Sequence, residues 1–208
     1  MKQSVTRQMF DYWDSLRAGR MAPERDDIDP AEIKDILQDT FILEVDAELT
    51  LPLRVAGTRI SDLFTRELKG VSFPTLFQEV DRPALAAIMR AVLEDLAPVV
   101  AGIAAAPSGR SPADMEMLLL PLRHLGRAHA RIIGSLTPVA TSAWMGLVEA
   151  APLSIISFRT LRPTAWSQTA EVEFPVAATR ERASANPFMR IFTGGRILKL
   201  PVALLSRN

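Results

Sequence analysis

The chain has 208 residues, 24 basic and 24 acidic, with 48% apolar residues and no cysteine. These proportions suit one globular domain with a sizeable core and an extra segment at an end, and they exclude a disordered chain. They also exclude disulfides, thiolate chemistry and cysteine-ligated metals, and a net-neutral chain with 6% aromatic residues gives little support to nucleic-acid binding. The charge is uneven: up to Phe158 there are 16 basic and 21 acidic residues, and after it 8 basic and 3 acidic, so the body is acidic and the tail basic.

In chain order, Ser4 is placed to cap a helix on which Val5, Met9, Trp13 and Leu16 recur at helical spacing, with Gly19 as its stop. That stripe suits packing on the chain's own body and dimerisation equally well. After a polar linker at 21–27, Asp29-Pro30-Ala31-Glu32 spells a helix start, with Ile33, Ile36 and Leu37 on the buried face. Residues 40–45 and 51–56 read as an antiparallel hairpin that Gly57 ends. Thr58 then caps a helix carrying Ile60, Leu63, Phe64 and Leu68, closed by Lys69-Gly70. A short helical turn at 74–77 follows. Asp81 and Pro83 open the strongest helix, with Leu85, Ile88, Met89, Val92, Leu93 and Leu96 on one face, and Pro98 ends it.

Three strands are predicted at 99–105, 115–123 and 130–137. In the second, Met115, Met117 and Leu119 alternate with Glu116, Leu118, Leu120 and Leu122. Both faces are mostly apolar, so the sheet is covered on both sides, and the N-terminal helix is the natural outer cover. Beyond Thr164, alternating pieces at 172–176, 188–192 and 197–205 read either as strands that cover the body or as a basic segment that contacts a partner or an anionic surface.

The uncharged stretch 96–109 is short and broken by Pro98 and Pro107, so no transmembrane segment is expected. The first residues lead into a charged amphipathic stretch with no apolar leader, which points to a cytoplasmic protein. Two strands, a helical excursion and three strands make an α+β chain without βαβ alternation.

That order resembles the PAS fold, a five-stranded antiparallel sheet with helices on one face, here with an N-terminal helix and a C-terminal extension. At residue level the chain is similar to a subfamily of short bacterial single-PAS proteins. The likeness is carried by Asp29-Pro30-Ala31-Glu32-Ile33, Val55-Ala56-Gly57-Thr58, Thr65-Arg66-Glu67-Leu68-Lys69-Gly70, residues 118–123, Ile133-Gly134-Ser135-Leu136-Thr137-Pro138 and Trp144-Met145-Gly146. It covers residues 8–162. The implied organisation is an amphipathic helix at 1–20, a PAS-like domain at 21–162 and a basic extension at 163–208.

In the third motif Thr65 stands where the subfamily has glycine, which predicts a backbone that does not need a positive φ there. Arg66 is either an anion-binding residue or the partner of a nearby carboxylate such as Glu67 or Asp62.

Little in the sequence can carry catalysis. His124 and His129 flank a turn and read as surface imidazoles, without the carboxylates or thiols a metal site needs. No histidine lies in the helical region, which disfavours haem, and the missing cysteine disfavours covalent flavin chemistry; a non-covalent small molecule is left open. Gly194-Gly195 lacks the lysine and hydroxyl of a phosphate loop, no serine sits in a nucleophile elbow, and Arg180 and Arg182 do not match a cyclic-dinucleotide pattern.

The resemblance therefore implies a non-enzymatic signalling or regulatory protein. It would sense a small apolar ligand or act through protein–protein contacts, and the alternative is a ligand-free adaptor that docks a kinase or scaffold. Candidate pocket residues are Phe64, Ile88, Met89, Val92, Met117 and Ile133, together with Arg66. A homodimer joined through Val5, Met9, Trp13 and Leu16, and a signalling protein partner, complete the expectations.

Overall fold

A computed structural model describes residues 1–124, 127–161, 173–174, 188–193 and 196–201, with backbone alone at 127–130 and beyond 161. The chain divides into two compact units, Met1–Ala177 and Ala178–Asn208. The second contains an antiparallel hairpin of β8 (Phe188–Thr193) and β9 (Arg196–Pro201). The predicted tail pieces at 188–192 and 197–205 fall largely on these strands, and Arg180 and Arg182 lie outside the described residues.

The first unit is built on one antiparallel sheet. Its strands are β1 (Thr40–Glu44), β2 (Leu53–Ala56), β3 (Val99–Ala105), β4 (Ala113–His124), β5 (Arg127–Pro138), β6 (Ser154–Thr160) and the two-residue β7 (Glu173–Phe174), in the order β2-β1-β5-β4-β3-β6-β7. All five predicted strands are present. The expectation of five is corrected by β6, which pairs with β3. The pairing register shifts between Gly102 and Ile103, leaving Ile156 unpaired, so the inward residues Ile155 and Phe158 are three apart. A bulge breaks the two-residue alternation by which a strand is recognised.

Each face of the sheet buries its own cluster. On one, α2 (Thr58–Leu63) and α3 (Arg82–Leu93) cover Phe41, Leu43, Ile103, Met117, Leu119 and Ile132. On the other, α1 (Ser4–Arg17) covers Leu118, Leu120, Leu122 and Ile133 through Met9 and Trp13. Helices therefore lie on both faces, as the two apolar faces of β4 required. Local helix details differ from the sequence reading. The Asp29 start opens turns and a six-residue 3-10 helix, Lys34–Asp39, and Leu37 is 39% exposed. The helix after Gly57 ends at Leu63, yet Leu68 is still buried.

Ser4 does not cap α1. The helix begins after Gln3 with no cap from its own side chains, and Glu116 reaches over from β4 instead. Its carboxylate accepts the backbone N–H of Lys2 at 2.7 Å and of Gln3 at 3.0 Å. A tertiary carboxylate thus satisfies amides that a helix start leaves bare. Burial works against the charge on Glu116, but the two backbone amides hold its carboxyl below the usual range.

A depressed carboxyl contributes stability above its unfolded pKa, and this is lost as pH falls through the folded value. Glu116→Gln is therefore expected to cost about 1–2 kcal/mol at neutral pH and progressively less in acid, read from urea midpoints across a pH series. An equal loss at every pH would show that the charge on Glu116 contributes nothing.

Candidate functional site

The packed side of the sheet holds Phe64, Ile88, Met89, Val92 and Met117 in one buried core cluster, and none of the five lines the cavity described below. Ile133 does not join them. Ile132 takes the inward position of β5, and Ile133 points to the opposite face beneath α1. Successive strand residues alternate sides, and the sequence alone does not say which of two adjacent isoleucines faces inward.

The core around these residues is knit by aromatic contacts. Phe41 stacks on Phe73 with centroids 5.3 Å apart, and Phe73 meets Phe77 edge-on at 5.1 Å. Phe41 lies opposite Gly134, and a Cβ on that glycine would come within 2.4 Å of the ring. Gly57 has a similar role: a Cβ there would meet the carbonyl oxygens of Gln38 and Leu37 at 2.3 and 2.4 Å. Gly57 and Gly134, two of the four glycines in the recognisable motifs, are therefore places where the chain passes close to a neighbour.

After α2 the backbone turns sharply. Thr65 adopts φ +48°, so the inference that its side chain excludes a positive φ is corrected. The chain accepts a left-handed β-branched residue because Thr65 N–H bonds to Asp62 O and Arg66 N–H to Ser61 O, which hold the turn. Thr65→Gly is expected to raise stability by up to about 1 kcal/mol, since relief of αL strain slightly exceeds the added unfolded-state entropy. A fall in thermal midpoint would overturn that balance.

Arg66 itself is half exposed and lies 3.6 Å from Glu149, a loose surface pair with neither Glu67 nor Asp62. His124 ends β4 half-buried, and the side chain of His129 lies outside the described residues. Among the described residues, no group of three His, Asp or Glu side chains is placed to hold a metal ion, and no helix is long and apolar enough to cross a membrane.

At one margin of the same core lies a cavity of about 170 Å³. Leu63, Met115, Leu136 and Met145 give it apolar walls, while Arg59, Asp62 and Thr141 bring polar groups to it. Arg59 donates from Nη1 to Asp39 Oδ2 at 2.9 Å, and the Asp39 side chain is fully buried. Burial pushes the Asp39 carboxyl above its usual range against the pull of Arg59. The sequence reading did not single out Arg59 or Asp39, and it named Asp62 only as a candidate partner of Arg66. The only signal available was a carboxylate set within the apolar run from Ile36 to Leu43.

The dimerisation stripe is accounted for within one chain. Met9 and Trp13 are fully buried against the sheet, Trp13 Nε1 donates to Pro121 O at 2.8 Å, and Val5 and Leu16 pack against the same cluster. Met9 and Trp13 are therefore corrected from interface to core, while Val5 and Leu16 stay partly exposed at the edge of that cluster. The apolar outer face of β4 and β5 uses that stripe.

A single antiparallel sheet clasped between helices, with a small cavity at the edge of its core, is an α+β architecture. A PAS domain family model matches residues 1–137 of the 208, and the chain belongs to that family. Among solved structures it is similar to a LOV protein of Rhodobacter sphaeroides, with 14% identity over 56% of this chain and 71% of that one and a TM-score of 0.42. It is also similar to an RNA-binding light-oxygen-voltage receptor, with 20% identity, 53% and 33% coverage and a TM-score of 0.43. A third is the light-state structure of the blue-light photoreceptor Aureochrome1 LOV, at 16% identity, 53% and 88% coverage and a TM-score of 0.41. No curated protein matches the chain.

Proposed function

We propose that this PAS-domain protein is a non-enzymatic regulatory module that binds a small molecule without forming a covalent bond to it. The observation that carries the reading is the cavity at the edge of the core, where apolar side chains from α2, β4 and β5 meet a few polar groups. Ligand sites have that composition. At about 170 Å³ the cavity is below the roughly 300 Å³ at which drug-sized sites begin, so its occupant is smaller than haem or a flavin. With no cysteine in the chain, no thiol adduct can form.

Occupation of the cavity would bias the packing of α2 and the 141–146 segment, and the regulatory output would follow from that bias. Residues 163–208 are the proposed output extension and a signalling protein the proposed partner, with the protein acting in the cytoplasm. The proposed homodimer is joined by a surface that does not include the buried Met9 and Trp13.

Mass spectrometry of the purified protein after denaturation tests the reading. A stoichiometric small molecule supports it. Repeated absence, together with no thermal shift across a metabolite panel, would replace it with the ligand-free adaptor that docks a kinase or scaffold.

A further inference from the structure

The polar wall of the cavity is unusual in one respect. The Asp39 carboxylate is fully buried, Arg59 Nη1 satisfies one of its oxygens, and Oδ1 has no hydrogen-bond partner among the described residues. A bare carboxylate oxygen in a core is costly, and it persists where the charged group has another task. Here the pair fixes a guanidinium. Arg59 lies at the start of α2 with its side chain about half exposed (52%), and the same side chain lines the cavity. A guanidinium carries five N–H donors in a planar fork that matches a carboxylate, and Asp39 engages one of its terminal nitrogens.

We infer that Arg59 offers the remaining edge of its fork to the carboxylate of a small apolar monocarboxylic acid, whose hydrocarbon part lies against Leu63, Met115, Leu136 and Met145. This rests on the small-molecule reading above and names the ligand class for that cavity. Among the described residues Arg59 is the only cation in the cavity wall and Asp62 is anionic, so the site suits one negative charge better than a phosphate or a dicarboxylate. The volume restricts the apolar part to a short chain or a single ring. Asp39 is a positioning residue that holds the guanidinium edge-on.

Binding is coupled to protonation. The charged group paired with Asp39 is Arg59 on α2; on its own segment Lys34 and Asp35 are exposed, and the inward positions of β5, Ile132, Gly134 and Leu136, carry no charge. A second carboxylate on Arg59 weakens the hold on the Asp39 charge, so the acid binds with proton uptake and its affinity rises as pH falls toward the Asp39 transition.

Isothermal titration of the full chain with butanoate, isovalerate, hexanoate and benzoate, each beside its primary amide, tests this. At least one acid should bind saturably, and its amide about tenfold or more weaker. Arg59→Gln should weaken the acid by a similar factor and leave the amide unchanged, and Asp39→Asn should flatten the pH dependence. Because Arg59→Gln alone leaves a buried carboxylate unpaired, it is also combined with Asp39→Asn; the combined variant should fold and still fail to bind the acid.

Equal binding of acid and amide, or indifference to Arg59→Gln, would overturn the carboxylate assignment while leaving the small-molecule reading intact. Failure of every acid would also overturn the assignment. The small-molecule reading itself is decided separately by the mass spectrometry of the purified protein.

Discussion

Trp13→Ala is expected to cost about 3–5 kcal/mol, the largest single-residue effect in the chain. Trp13 is fully buried, so its removal leaves a cavity between α1 and the outer face of the sheet as well as losing its transfer energy. The indole also donates to Pro121 O at 2.8 Å, and alanine would leave that buried carbonyl without its donor. For a chain of this length the thermal midpoint should fall on the order of 10 °C. Limited proteolysis should open first around Arg17 and Arg20, at the end of α1.

The same variant separates a structural α1 from a dimerising one. Because α1 is part of the core, stability should collapse while mass by light scattering at low temperature stays the same. A change in mass with little change in stability would restore the dimerisation role. Trp13→Phe keeps most of the apolar volume and loses the N–H donor, so it should cost about 1–3 kcal/mol.

Gly134→Ala is expected to cost about 2–3 kcal/mol, measured as a shift of the urea midpoint at constant slope. The added Cβ would lie 2.4 Å from Phe41 Cζ and 2.5 Å from Leu118 O. Phe41 cannot swing aside freely because it stacks on Phe73, which is itself packed edge-on by Phe77. Phe41→Leu in the same chain should recover part of the loss, because it removes the ring but not the carbonyl clash. The pair should therefore show a coupling energy of about 1 kcal/mol. Strict additivity would place the strain at the Leu118 carbonyl alone.

Element order was legible in the sequence because its signals are local. The alternation of Met115, Met117 and Leu119 with Leu118, Leu120 and Leu122 showed that β4 is buried on both sides, and the helical stripe of α1 supplied a matching cover. α3 was legible from its six apolar positions, of which only Leu96 lies outside the helix. β6 was not legible, because a bulge at Ile156 removes its two-residue period. The burial of Phe64, Ile88, Met89, Val92 and Met117 followed from periodicity on single elements, but the cavity is lined by other residues. The side of Ile133 depended on pairing register, and the Arg59–Asp39 contact joins residues 20 apart in sequence, so neither could be seen locally.

The sequence by itself determined α1, α3 and the central strands, the two-sided burial of the sheet and the absence of thiol chemistry, because composition and periodicity act within a few residues. Only the tertiary structure decided that the α1 stripe is core, that Glu116 caps a helix more than a hundred residues away, and that the charge at the cavity wall is Arg59. Those outcomes depend on which surfaces the folded chain brings together. An apolar stripe or a lone arginine has the same local pattern whether it faces its own sheet, another molecule or water.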